Sequence, residues 1–100
     1  MKMYVLVKKS VPKGLGANGI GHAVLSAYLQ FKDHPDTIEW LDKSFRKVTC
    51  LVNDNEFELA KNTSDHVVIT ESDYNNEEIA IAFRPRVDWP DEFKKFKLFK

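Results

Sequence analysis

Within its first 31 residues the chain changes from the pattern of a buried strand to the pattern of an amphipathic helix. Met3–Val7 is a short apolar run with β-branched residues, and it stops at polar ones. From Ala17 onward apolar side chains recur at helical spacing on one face, at Ile20, Val24, Ala27 and Phe31. A strand that leads into such a helix predicts a strand–helix–strand crossover with parallel strands, and therefore an α/β protein.

The rest of the chain continues this alternation of strands and helices. The further elements predicted are a short helix capped by Asp36 or Thr37, a strand over Lys47–Val52, a helix capped by Asp54 or Asn55 with Phe57, Leu59 and Ala60 facing inward, strands over His66–Thr70 and Glu78–Phe83, and a terminal helix or extended segment over Asp91–Phe99. The tight turn predicted at Asp73–Asn76 makes the last two strands antiparallel. We therefore predict one α/β domain over residues 1–100. It is a three-layer sandwich, with a mixed sheet of about four strands and helices on both faces.

Composition and charge narrow the class of protein. A length of 100 residues fits one domain with one hydrophobic core. Lys and Arg together number 15, as do Asp and Glu, so bulk charge does not indicate a nucleic-acid-binding protein. Cys50 is the only cysteine and lies in the apolar run Val48–Val52. We predict that it is a buried structural thiol rather than a reactive one.

Neither a secretory signal nor a membrane-spanning helix is predicted. The apolar core near the start has five residues, whereas a signal peptide needs about 7–15. No run approaches the ~18 apolar residues of a spanning helix. We therefore expect a cytoplasmic protein without membrane contact. The three histidines show no metal-ligand spacing, and we expect neither a metal nor a cofactor.

The segment Gly14–Gln30, which reads GLGANGIGHAVLSAYLQ, is the most specific motif of the chain. Its Gly-His-Ala at 21–23 and Ser-Ala-Tyr-x-Gln at 26–30 resemble the opening helix of the second class of peptidyl-tRNA hydrolases. Weaker matches follow in the family's order, at Pro35, Trp40, Lys47-Val48, Ile79–Pro85 and Lys97-Leu98-Phe99. The resemblance implies hydrolysis of the ester between a peptide and tRNA, without a required metal.

The family's catalytic positions are the places where the resemblance fails. A family loop lysine falls on Leu15, and an earlier one falls on Lys13. Lys13 either takes over the role of the lost lysine or is a solvated loop residue. The family's glutamine falls on Gly19, and Asn18 is the nearest amide. Asn18 either orients a water molecule or caps the helix.

Ester hydrolysis needs a positioned water, a group that takes its proton, and donors for the developing oxyanion. His22 is the candidate base or hydrogen-bond donor, and its alternative role is that of a partly buried histidine bonded to a backbone carbonyl. It is expected near the carboxyl end of the sheet, where α/β proteins usually bind ligands. Glu71 and Asp73 follow a strand whose end should approach the same edge. Each is either a site carboxylate, in place of the family's aspartate, or an ordinary turn residue.

The predicted substrate contacts come from the loop before the first helix and from basic residues. Gly16 belongs to a glycine-rich loop whose backbone N–H groups could hold an anion. Basic residues cluster at Lys8, Lys9 and Lys13 and again at Arg84 and Arg86. Lys9 and Arg84 would contact phosphates if these two clusters meet at one edge of the sheet. The resemblance implies peptidyl-tRNA as the partner, and exposed strand edges leave a homodimer open. The alternative to a hydrolase is an inactive binding or regulatory module on the same fold.

Overall fold

The computed structural model describes residues 1–100, and the first strand along the chain is the central one. The strands are β1 (Lys2–Lys8), β2 (Arg46–Val52), β3 (His66–Glu71), β4 (Glu77–Phe83) and β5 (Lys97–Leu98), and the helices are α1 (Lys13–Phe31), α2 (Pro35–Asp42) and α3 (Asp54–Ala60). The sheet has the order β3-β4-β1-β2-β5. As predicted, β1 and β2 are parallel and β3 and β4 are antiparallel. The two-residue β5 adds a fifth strand to the four predicted.

The predicted three-layer α/β sandwich is confirmed, because β1 sends alternate side chains to two separate cores. Met3, Val5 and Val7 pack under α1 and α2. Tyr4 and Leu6 point to the opposite face, which α3 and the C-terminal segment cover. The sheet is therefore buried on both sides. No helix of the chain is long and apolar enough to cross a membrane.

α1 begins at Lys13, four residues before the predicted start at Ala17. Pro12 precedes the first turn, and no side chain caps the helix, so capping by Asn18 is wrong. The stretch was interpreted as a loop because Pro12 and the glycines are poor helix formers. Packing explains Gly16 in this stretch and Gly19 one turn later, since a Cβ would lie 3.3 Å from Cγ1 of Val7 at the first position and 2.6 Å from Cδ1 of Ile79 at the second. The two glycines let the helix lie close to the sheet.

α2 begins at Pro35, so its two predicted caps lie inside the helix. His34 caps it, with its Nδ1 accepting a hydrogen bond from the backbone N–H of Asp36 at 3.0 Å. Pro35 occupies the first helical position, where its missing N–H is not needed. Capping by Asp36 or Thr37 is therefore wrong, and Thr37 is buried instead. Trp40 fixes the helix to the sheet by donating from Nε1 to the carbonyl of Arg46 at 2.7 Å.

α3 is capped by Asn53, directly before the two residues predicted for that role. The Asn53 side chain accepts from the Glu56 N–H, and the Glu56 carboxylate accepts from the Asn53 N–H, both at 2.8 Å. This reciprocal pair is a capping box. Phe57 and Ala60 are buried as predicted, but Leu59 is 62% exposed. The prediction for Leu59 is wrong because it lies two residues after Phe57, on the other side of so short a helix.

The C-terminal segment combines the two predicted alternatives, a helix and an extended segment. Residues Asp91–Lys95 form a 3₁₀ helix, and β5 then pairs antiparallel with the end of β2. Phe93 and Phe96 are buried and anchor the segment to the sheet. The ring of Phe93 meets those of Tyr4 and Phe83 edge-on, with centroids 5.2 and 5.1 Å away. Aromatic packing therefore holds the end of the chain.

Candidate functional site

The carboxyl ends of β1, β2 and β3 meet at one edge of the sheet. β4 runs opposite to both β1 and β3, so it begins where they end. Val7, near the end of β1, is paired with Ala80, and Glu71 is paired with Glu77. The structure therefore brings the end of β3 to the edge from which α1 starts. This is the placement expected for Glu71, and edges of this kind bind ligands in α/β proteins.

A polar groove of about 400 Å³ runs between α1 and β3. Its lining consists of residues from the middle of α1, the second half of β3 and the turn that follows: His22, Ser26, Val68, Ile69, Thr70, Glu71, Ser72 and Asn76. Two predicted site residues, His22 and Glu71, thus share one groove. The groove also offers three hydroxyl groups and one amide as hydrogen-bonding groups.

His22 is the tenth residue of α1, not about the sixth as the predicted start implied. It therefore lies along the flank of the sheet rather than at the edge where α1 begins. Its side chain is exposed, which contradicts the alternative of a partly buried histidine. Asn18 and Ser26 are four residues away on either side, so both neighbour His22 on one side of the helix. Only Ser26 of these two lines the groove.

Glu71 and Asp73 are distinguished by the turn between β3 and β4. Glu71 caps a 3₁₀ turn at Ser72–Tyr74, and its Oε1 accepts a long hydrogen bond of 3.4 Å from the Asp73 N–H. The Glu71 carbonyl accepts from the Asn76 N–H at 2.9 Å. Asn75 and Asn76 complete the turn with φ angles of 56° and 57°, as the predicted left-handed turn requires. Glu71 lines the groove, whereas Asp73 is exposed outside it.

Lys13 does not join this groove. It precedes His22 by nine residues, which is about 13 Å along the helix and about half a turn around it. The Lys13 side chain is exposed at the start of α1, near Lys9. Gly16 is also outside the groove, and its N–H donates to the carbonyl of Pro12 at 2.9 Å. The Gly16 amide is therefore not free to hold an anion as predicted, because it is already used within the helix.

Arg84 lies at the opposite end of the sheet from Lys9 and Lys13, because β4 is antiparallel to β1. Its guanidinium group donates to Asp36 and Asp65, both at 2.8 Å. The hydrogen bond from Arg84 holds the pKa of Asp65 below its ordinary value. Arg84 thus ties α2 to the end of β4, and the two predicted basic clusters do not meet at one edge.

A second cleft, of about 450 Å³, adjoins the groove through Asn76. It lies where the loop after β1 faces the turn before β4, and its polar lining consists of Lys8, Ser10, Asp54, Tyr74, Asn76, Glu77 and Glu78. None of these residues was predicted as a site residue. Ser26, Thr70 and Ser72 in the groove were likewise not predicted as site residues. Their signal was proximity to residues already selected, since Ser26 follows His22 by one helical turn and the other two flank Glu71.

Cys50 contributes no nucleophile to either cleft. It is buried in β2, and burial raises the pKa of its thiol to about 11. The prediction of a buried thiol is confirmed.

No protein-family model matches the chain, and no curated protein matches its sequence. The groove and the motif at Gly14–Gln30 are therefore the features of the chain that point to a function.

Proposed function

We propose that the groove between α1 and β3 hydrolyses an ester of the peptidyl-tRNA type. The single observation that supports this function is that His22 and Glu71 line the same groove. An imidazole and a carboxylate beside hydroxyl and amide donors are the groups that general-base hydrolysis of an ester requires. The likeness of the segment around His22 to the second class of peptidyl-tRNA hydrolases supplies the substrate class.

In the proposed reaction, His22 accepts a proton from the water that attacks the ester carbonyl. Glu71 orients the imidazole or the water through a hydrogen bond. The oxyanion that forms at the carbonyl oxygen is stabilised by donors among Ser26, Thr70, Ser72 and Asn76. The tetrahedral intermediate then collapses, the proton passes from His22 to the leaving ribose oxygen, and the peptide acid is released. Asp73 and Arg84 have no part in these steps.

The tRNA is proposed to contact the lysines near the start of α1. Lys9 and Lys13 are exposed there, and they can bind backbone phosphates without reaching His22. Such contacts make affinity depend on salt, so the Michaelis constant should rise with ionic strength while the turnover number changes less. Lys13 is thus proposed as a substrate-binding residue rather than as a catalytic one.

The test is hydrolysis of a peptidyl-tRNA by wild type and by matched variants. His22→Gln and Glu71→Gln are each expected to lower the turnover number by about a hundredfold or more, because each removes a group needed for proton transfer. Asp73→Asn is the matched control, since this carboxylate lies outside the groove, and it should leave turnover unchanged. Equal activity in all three variants would contradict a site built on His22 and Glu71.

A binding module that lacks chemistry is the second candidate, and one observation favours it. No Lys or Arg side chain lines the groove, whereas the family that the chain resembles places a lysine at its site. Under this hypothesis wild type binds peptidyl-tRNA and leaves the ester intact, even at high protein concentration. Gel-shift titration beside the hydrolysis assay separates the two functions, because only the hydrolase releases free tRNA.

A further inference from the structure

On the other flank of α1, away from the groove, lies an apolar hollow of about 500 Å³. It is formed by α1, α2 and the start of β2, and its lining is Gly21, Val24, Leu25, Tyr28, Trp40, Leu41, Phe45 and Lys47. Most of this lining is aliphatic or aromatic. The volume lies within the ~300–1,000 Å³ of small-molecule sites. The hollow shares no residue with the groove that holds His22.

Gly21 makes room for this hollow. A Cβ at Gly16 would lie 3.3 Å from Val7, and one at Gly19 would meet Ile79, so both glycines serve packing against the sheet. A Cβ at Gly21 would have no neighbour within 4 Å. Glycine is unfavourable inside a helix because it adds backbone freedom to the unfolded chain. At Gly21 no contact with the sheet explains it, and the missing side chain instead widens the hollow.

Phe45 forms one wall of the hollow at a strained backbone position. Its φ of 51° lies in the left-handed region, which is unusual for a bulky residue. The Phe45 N–H donates to the Trp40 carbonyl at 2.8 Å, which holds the turn in this form. The Phe45 ring lies 5.0 Å from that of Trp40 and is 51% exposed. Strained positions of this kind gather at ligand sites.

Lys47 places one positive charge on the apolar lining. Its Nζ lies 3.2 Å from the centre of the Phe45 ring and donates to the Phe45 carbonyl at 2.9 Å. None of the ion pairs of the protein includes Lys47. Partial desolvation lowers the pKa of the amine. A carboxylate placed beside this ammonium group would supply the opposite charge that the protein itself does not.

We propose that the hollow binds a small amphipathic anion, namely an aliphatic carboxylate of medium chain length. The hydrocarbon chain lies in the space above Gly21, between Leu25, Tyr28 and Phe45. The carboxylate pairs with Lys47 at the start of β2. The site is separate from the proposed hydrolytic groove, and occupancy requires no reaction.

The test is calorimetric titration with decanoate, kept below its micelle concentration, with decanol as the uncharged control. Wild type should bind decanoate at one site and decanol at least tenfold more weakly. Lys47→Met should weaken decanoate binding by at least tenfold and remove the preference over decanol, whereas Lys43→Met, an exposed lysine outside the hollow, should change neither. Equal affinity of wild type for the two ligands would overturn the proposal.

Gly21→Leu tests the cavity independently of charge. Leucine is the better helix former, and its side chain projects into open space, so the variant should fold and yet no longer bind decanoate. Circular dichroism checks folding. Unchanged decanoate binding in folded Gly21→Leu would overturn the site. Sedimentation of wild type that reveals a dimer, and of Gly21→Leu that reveals a monomer, would assign the hollow to a second copy and would also overturn it.

Discussion

The two faces of the sheet are packed by different kinds of side chain. On the lower face, which α3 and the C-terminal segment cover, the aromatic rings of Tyr4, Phe83, Trp89 and Phe93 meet one another edge-on or tilted, with centroids 4.7–5.9 Å apart. On the upper face, which α1 and α2 cover, α1 presents alanines and glycines to the alanines of β4. Large rings fill the lower layer, whereas small residues let α1 lie close to the upper face of the sheet. Removing one of these rings from the lower layer is therefore expected to be especially costly to stability.

The same contrast explains where the openings lie. A helix that approaches a sheet through small residues covers only a narrow strip of it. The groove with His22 lies on one flank of α1, and the hollow with Lys47 lies on the other. Both proposed binding functions thus belong to the upper face, and substitutions on the two faces should have different consequences.

The largest effect is expected when the lower layer loses a ring. Phe93→Ala removes a buried side chain that contacts several aromatic neighbours, and should lower the free energy of unfolding by about 3–5 kcal/mol. Phe45→Ala changes a half-exposed ring beside the hollow on the upper face, and it should lower that free energy by less than about 1 kcal/mol. Urea unfolding measures both. Similar losses in the two variants would mean that the buried rings of the lower layer stabilise the fold no more than a half-exposed ring does.

A pair of glycines in α1 sharpens the comparison within the upper face. Gly19→Ala should lower the free energy of unfolding by about 1–2 kcal/mol, because its Cβ collides with the buried Ile79. Gly21→Ala should raise it by about 0.5–1 kcal/mol, because alanine favours the helix and nothing lies in its way. Thermal unfolding of the two variants provides the comparison. Changes of the same sign would contradict the close approach at Gly19.

A smaller effect, dependent on pH, is expected at the end of β4. Arg84 lowers the pKa of Asp65 in the folded protein, so the pair stabilises the fold above the ordinary carboxyl pKa of 3.8. This contribution is lost as the pH falls through the lowered value. It should amount to less than about 1 kcal/mol, since the Asp65 side chain is 42% exposed. Asp65→Asn should therefore be less stable than wild type at pH 7 and no longer so at pH 2. Asp33→Asn, which removes an unpaired exposed carboxylate, should show no such convergence.

The smallest effect is expected at Leu59 on α3. This leucine is 62% exposed, so Leu59→Gln should change the free energy of unfolding by no more than about 0.5 kcal/mol. Phe57→Leu, a change at the buried position two residues earlier, should produce a clearly larger loss in the same urea titration. A strong effect at Leu59 would mean that the lower layer extends further around α3 than the rings indicate.

The main features of the fold could be predicted because they depend on local periodicity. The apolar run of β1 and the helical spacing in α1 are read directly from neighbouring residues. The start of α1 was missed because Pro12 and the glycines have poor helix propensity, and a long-range contact with the sheet outweighs that propensity at Gly16, where a Cβ would lie 3.3 Å from Val7. The helix caps were misplaced by one to three residues, at His34 and Asn53, because several neighbouring polar residues can fill the same role.

The candidate site could be predicted only in part, because it depends on where side chains lie around α1 and on the direction in which each strand runs. Glu71 was placed at the correct edge, since strand ends follow from topology. Lys13 and His22 could be placed around α1 only once its first residue was known. Arg84 was misplaced because the pairing of β4 with β1, which reverses its direction, is a long-range property. Apolar hollows such as the one above Gly21 depend on side chains from three elements.

The central position of β1 has a consequence for synthesis of the protein. This strand is made first, but its neighbours are residues 46–52 and 77–83. At about 5–20 residues per second, the ribosome needs roughly 4–15 s to add the second of them. Throughout that interval the most apolar strand of the chain has an open edge. Nascent chains that pause before residue 83 are therefore expected to be the form of this protein that most needs a chaperone.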